Sequence, residues 1–198
     1  MCEADEIKFL RMLSELSVPS LLLSGGEPLL HPRFEQRVKL ARELDLRVTV
    51  STNGTLIDEP MADMLSAGVS YVGVSLDGPK EIHDGFRGTD GAFESSVRAM
   101  ELLASRGCRV GLRVTMAAPV IECMDEIFSV AESLPLSRIC FYHFIPSGRG
   151  INDASLVPGN NAIEQAIKKI IEWAEVMRKR PVEILTVGEA SDNVRLKK

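Results

Sequence analysis

The sequence predicts an α/β protein with about five parallel core strands and helices outside them. Three observations carry that expectation. Apolar periodicity switches repeatedly between a helical repeat and short strand-like runs. Those runs are nearly continuous in apolar residues, as in parallel strands buried on both faces. Each core run is followed by a helical segment, with no linker or internal repeat between them. An open doubly wound sheet and a section of an α/β barrel both satisfy this pattern. In either, ligands sit at the carboxyl ends of the strands.

The elements follow in order. Residues 4–16 place Ile7, Leu10, Met12, Leu13 and Leu16 largely on one helical face. After Val18-Pro19, SLLL (20–23) reads as a short buried strand, 33–44 as helix and 47–52 as strand. EPMADMLSAG (59–68) is a helix with Pro60 in its first turn and a glycine at its end. A strand at 71–76 precedes the clearest helix, 91–107, which Gly107 stops. Then come a strand at 109–116, a helix at 122–134, a strand at 138–144 and a long helix at 160–180. A short apolar run, VEILTV (182–187), closes the series.

A chain of 198 residues, 45% hydrophobic and 26% charged, can bury a real core in one domain. Its net charge of -5 and the lack of any basic block argue against nucleic acid or an anionic membrane as partner. No apolar run nears the roughly 18 residues of a membrane span. The acidic start MCEADEIKF is unlike a signal peptide, so a cytoplasmic protein is expected. Cys2, Cys108, Cys123 and Cys140 are too dispersed for a C-x-x-C pair. No disulfide is expected in a reduced compartment, and Cys108 and Cys140 read as core thiols.

Polar and glycine-rich residues gather at one end of every strand. SGGEP (24–28) follows the first, STNGT (51–55) the second and SLDGP (75–79) the third. The fourth carries Arg113, and the fifth runs into YHFIPSGRG (142–150). The opposite connections, RELDLR and ASRGCR, read as plain turns. Gly25-Gly26, Asn53-Gly54 and Asp77-Gly78 are each ordinary turn dipeptides taken singly. Their coincidence at one sheet end points to a ligand site. Glu27 offers an acceptor for an ammonium group. Ser51, Asn53 and Ser75 suit ribose hydroxyls or a carboxylate, and Arg113 can hold a carboxylate bidentately. Together these describe an amino-acid nucleoside.

The order SGGEP, VTVSTNGTLI, YVGVSLDG and HDGFRGTDGAF, over roughly residues 5–150, resembles the radical S-adenosylmethionine (SAM) superfamily. CFYHFIPSGRG (140–150) and VEILTV resemble its tetrapyrrole-modifying branch, which makes haem d-type cofactors and haem from sirohaem. The resemblance implies a partial (β/α)6 barrel that binds SAM. Gly25, Gly26, Glu27 and Pro28 would meet the methionyl amino group. Ser51, Asn53 and Ser75 would meet the methionyl or ribose parts, with Asp77 and Arg113 as further SAM-site candidates. It also implies a [4Fe–4S] cluster, a tetrapyrrole substrate and hydrogen abstraction by a 5′-deoxyadenosyl radical. Neighbouring peptide-modifying and sulfatase-maturing enzymes are the alternative.

The family's C-x3-C-x2-C cluster motif does not occur in the sequence. A cluster of this kind needs three thiolates. No metal ligand or catalytic side chain is therefore assigned, and the chain is expected to be a fragment lacking the first strand. On this reading residues 1–180 are the second to sixth βα units, and 181–198 begin a C-terminal extension or linker. Such a fragment is expected not to turn over alone, and its edge at 20–24 invites pairing in a homodimer. Two rival readings use the same pocket: a cluster-free SAM-binding module, and a non-radical barrel enzyme using Glu27, Asp77 and His83 as acid/base groups.

Overall fold

Six parallel strands form one sheet, paired in the order of the chain: β1 (Leu21–Leu23), β2 (Val48–Thr52), β3 (Tyr71–Ser75), β4 (Val110–Met116), β5 (Arg138–His143) and β6 (Glu183–Val187). The structure is a computed structural model that describes residues 2–146 and 153–188. Residues 147–150 of the YHFIPSGRG loop, and 189–198, lie outside that description.

Sequential order decides between the two architectures the sequence allows. A doubly wound sheet reverses its strand order at a switch point, and no reversal occurs here. Right-handed crossovers in one direction place every connecting helix on the same face. The result is a section of a (β/α) barrel. Among the described residues β1 pairs only with β2 and β6 only with β5, so the section they form is open.

The helices are α1 (Glu3–Glu15), α2 (Phe34–Glu43), α3 (Glu59–Gly68), α4 (Lys80–Arg87), α5 (Ala92–Ser105), α6 (Ala118–Glu122), α7 (Met124–Ser133) and α8 (Asn160–Val176). Their apolar stripes cover the strand residues of one parity. Val50, Val72, Val74, Leu112, Val114, Ile139 and Phe141 are all fully buried. Under α7 and α8 the rings of Phe128 and Trp173 stack at 4.4 Å, with Phe141 edge-on at 6.2 Å from Phe128. The opposite parity, including Ser51, Ser75, Arg113 and Cys140, faces the concave side. Register aligns Ser51 with Gly73 and Gly111, and Ser75 with Arg113 and Cys140.

Local chemistry explains the helix starts. The Asp58 carboxylate accepts from the Met61 N–H at 2.9 Å, with Pro60 in the first turn of α3. Such a cap contributes about 1 kcal/mol. α1 is tied to α2 by Glu6, which binds Arg33 at 2.8 Å and Arg37 at 2.7 Å. These two guanidiniums hold the Glu6 carboxyl down at about 2.

Two elements differ from expectation. The sheet has six strands rather than about five, because residues 183–187 pair in register with β5. A boundary after residue 180 would cut that strand from its sheet. α4 is an added helix that runs into the start of the HDGFRGTDGAF motif. Pro79 precedes it, and Gly88 ends it in the left-handed region at φ 66°. The expected edge is present: Leu22 on β1 is 52% exposed. A cavity of about 500 Å³ lies between α1, β1 and the glycine loop, lined by Phe9, Leu10, Leu21 and Leu23 among others.

Candidate functional site

The loops after β1, β2 and β3 meet at the carboxyl end of the sheet, as the sequence predicts. Gly25 turns the chain at φ 143°, a conformation that disfavours any side chain. At Gly25 and at Gly26 a Cβ would meet nothing within 4 Å. The loop therefore leaves its backbone open on that side.

Glu27 is more engaged than its sequence role suggests. Its Oε1 accepts from the Leu29 N–H at 3.1 Å and from the Thr52 hydroxyl at 2.8 Å. Its Oε2 accepts from the Asn53 N–H at 2.7 Å. The carboxylate thus clamps the glycine loop to the β2 loop, with spare acceptor capacity remaining chiefly on Oε2. Pro28 begins a 3-10 turn, Pro28–Leu30, that Glu27 caps. Pro28 shapes the loop rather than presenting a polar group.

Asn53 sits at the junction. Its Oδ1 accepts from the Thr55 N–H at 2.9 Å and the Thr55 hydroxyl at 2.8 Å. Its side-chain NH₂ has no hydrogen bond among the described residues, and neither do the Ser51 and Ser75 hydroxyls. Each of these three residues is half-buried. They keep donors and acceptors free at the strand ends, which fits the role expected of them.

Asp77 is turned inward. Its carboxylate is fully buried, accepts from the Thr115 N–H at 2.6 Å and pairs with the Arg87 guanidinium. Those bonds tie the β3 loop to β4 and α4, and in this structure the Asp77 carboxylate is engaged by them. His83 belongs to the same network. Its Nδ1 accepts from the Asp77 N–H at 2.9 Å, which puts the ring proton on Nε2, 3.4 Å from the Ser96 hydroxyl. Ser96 in turn donates to the Asn53 carbonyl at 2.9 Å. Burial holds the His83 imidazole below its ordinary value, against the pull of Asp77. Asp84 accepts from the N–H groups of Gly91 and Phe93 and so caps α5. Sequence reasoning missed this network, although the close spacing of Asp77, His83, Asp84 and Arg87 was its visible signal. The pairing leaves Asp77 poorly disposed to be the acid/base group of a non-radical enzyme.

Arg113 stands across the concave face. Its guanidinium lies 4.2 Å from the centre of the Tyr142 ring. It is three strands away from the glycine loop. The four cysteines remain apart: Cys2 is exposed, Cys108 half-buried, and Cys123 and Cys140 buried. Burial raises the Cys123 thiol to about 11. Among the described residues no three His, Cys, Asp or Glu side chains converge as metal ligands would.

A sequential parallel sheet with open glycines and unpaired polar groups at one end marks a barrel-type α/β protein, with its candidate ligand site over the strand ends. Comparison with known proteins makes this specific: residues 4–130 match the radical SAM superfamily, and the chain belongs to that family. It is similar to the Fe-coproporphyrin III synthase of Methanosarcina barkeri, at 39% identity over 91% of this chain and 46% of that protein. It is also similar to the pre-heme d1 synthase of Dinoroseobacter shibae, at 33% identity over 92% of this chain and 46% of the relative. The chain thus spans about half the length of these curated relatives. The solved structure of native anSMEcpe with bound AdoMet superposes with a TM-score of 0.75 at 22% identity, covering 93% of this chain and 55% of that one. That likeness concerns the fold. Among the described residues no helix is long and apolar enough to cross a membrane.

Proposed function

We propose that the chain is the SAM-binding core of a radical SAM enzyme that modifies a tetrapyrrole in the synthesis of haem or a haem d-type cofactor. The observation that supports it best is the 39% identity to Fe-coproporphyrin III synthase across nearly the whole chain. A pre-heme d1 synthase at 33% identity and an AdoMet-dependent heme synthase at 32% support the same reading.

The residues present fit SAM. The open space beside Gly25 and Gly26 admits a methionyl group against the backbone. The spare capacity on Glu27 Oε2 is placed to accept from its ammonium. The Ser51 and Ser75 hydroxyls and the Asn53 amide would hold the methionyl carboxylate or the ribose. Bound SAM supplies, on reduction by a [4Fe–4S] cluster, the 5′-deoxyadenosyl group that takes a substrate hydrogen. The described residues do not fit the cluster itself, since three thiolates are required and no three cysteines approach one another. What this chain's residues do is bind, orient and shield.

Calorimetry with SAM, combined with titration of iron coproporphyrin III followed at its Soret band, tests the reading. It expects micromolar SAM binding without iron and a saturable Soret shift. A chain that binds SAM but prefers a precursor peptide would favour the peptide-modifying alternative, for which PqqA peptide cyclase is a relative at 28% identity. SAM binding with neither substrate would favour a cluster-free module. The unpaired edge of β1 further supports a homodimer through residues 20–24, and a monomeric mass in light scattering would refute that association.

A further inference from the structure

Asn53 is held at every hydrogen-bonding atom but one. Its N–H donates to Glu27 Oε2 at 2.7 Å, and its side-chain Oδ1 accepts from the Thr55 N–H and hydroxyl. Its carbonyl accepts from the Ser96 hydroxyl at 2.9 Å. Only the side-chain NH₂ is left without a hydrogen bond among the described residues. A ligand that meets this amide meets a group already fixed in place, and such preorganisation lowers the cost of binding.

Two of these anchors come from the strand-end loops, and the third comes from behind them. Ser96 lies near the start of α5, which seats directly on the β2 loop. A Cβ on Gly54 would come within 3.3 Å of Ser96 Cα and 3.2 Å of Ala99 Cβ. Behind Ser96 stands His83, whose Nε2 is 3.4 Å from the hydroxyl. Because His83 Nδ1 accepts from the Asp77 N–H, Nε2 carries the proton and donates to Ser96. Ser96 in turn gives its own proton to the Asn53 carbonyl. The bonds therefore run one way, from the β3 loop through α4 and α5 to Asn53. His83 is 1% exposed and Ser96 0%, so neither touches a ligand at the sheet end. Any effect they have on binding passes through a neighbour, and Asn53 is the neighbour at the site that Ser96 bonds.

We propose that Ser96, oriented by His83, is a positioning residue that locks the Asn53–Gly54 peptide and so holds the Asn53 amide toward bound SAM. This rests on the SAM-binding reading and deepens it. The carbonyl that Ser96 grips belongs to a peptide whose far side is Gly54, at φ 81°. Glycine tolerates the alternative orientations of such a peptide at little cost. Without the Ser96 bond the carbonyl is unpaired against the helix and turns toward water, and the Asn53 side chain turns with it. The Glu27 bond on the N–H side does not prevent this, because it fixes the preceding peptide.

A double-mutant cycle on SAM affinity tests this. Isothermal titration compares the full 198-residue chain with its Ser96→Ala, Asn53→Ala and doubly substituted variants. Ser96→Ala should weaken SAM binding by about three- to tenfold, the equivalent of one neutral hydrogen bond. Asn53→Ala should cost at least as much. With Asn53→Ala in place, Ser96→Ala should add no more than about twofold, because the group it positions is gone. A residue that merely supports the fold would instead give losses that multiply, and that result overturns the inference. His83→Ala should repeat the Ser96→Ala loss, whereas His83→Gln, whose amide can donate to Ser96, should bind within about twofold of wild type. The two His83 variants supply the measurement if Ser96→Ala does not fold, and equal losses in both overturn the role of His83. Wild-type SAM affinity in Ser96→Ala overturns the inference and leaves the SAM reading intact. A wild-type chain that binds no SAM overturns that reading, and this inference with it.

Discussion

Replacing Glu27 by glutamine separates two roles that one carboxylate could play. In the folded chain its oxygens accept three hydrogen bonds, from Leu29 N–H, the Thr52 hydroxyl and Asn53 N–H. Glutamine keeps one acceptor oxygen, which can serve Leu29 and Thr52. Its NH₂ must then face the Asn53 N–H, donor against donor. The loss is one charge-assisted hydrogen bond, worth about 1.5–3 kcal/mol. Half-burial of Glu27 and its screening by solvent favour the lower end of that range. For a chain of this size each kcal/mol moves the melting temperature by about 2–4 °C, so a fall of roughly 3–12 °C is expected. Thermal denaturation followed by circular dichroism, without ligand and at neutral pH, measures it. A melting temperature unchanged within about a degree, together with a large loss of SAM affinity, would refute the clamp. Glu27 would then serve the ligand alone.

Two further outcomes follow from the network behind the site. Asp77→Asn should cost about 3 kcal/mol, the low end for breaking a buried pair because Arg87 is 27% exposed; a denaturant midpoint equal to wild type would contradict it. His83 is held neutral in the fold, whereas the unfolded chain binds a proton there below about pH 6.5. Wild-type stability should therefore decline as pH falls beneath that value, and His83→Gln should flatten this part of the pH profile. Parallel profiles for the two proteins would count against a buried neutral imidazole.

The outer layer of the molecule was legible in the sequence because periodicity reports burial directly. The strand over 71–76 and the helix over 91–107 emerge within a residue or two of Tyr71–Ser75 and Ala92–Ser105. The strand at 182–187 was legible as an apolar run, but nothing local says that it pairs with β5. That pairing is a long-range property of the sheet. α4 was hidden because its apolar stripe is short, resting on Ile82 and Phe86 alone, and its polar groups are spent inward on Asp77 and the start of α5. For the same reason Asp77 looked like a ligand contact. A carboxylate at a strand end reads alike from sequence whether it faces a cofactor or a buried arginine. The glycines of β3 and β4 were equally silent, since their purpose shows only once Arg113 and Tyr71 lie across them.

Binding of SAM at the glycine loop is the claim on which the account turns, and Gly26 offers its most direct measurement. Gly26 lies outside the left-handed region, and a Cβ there meets no protein atom within 4 Å. Gly26→Val should therefore leave the fold unchanged and obstruct only what lies against the loop. Isothermal titration of SAM should show binding to the wild-type chain and at least a tenfold loss in the variant, at equal melting temperature. Equal SAM affinity in the two proteins would contradict the placement of SAM against Gly25 and Gly26.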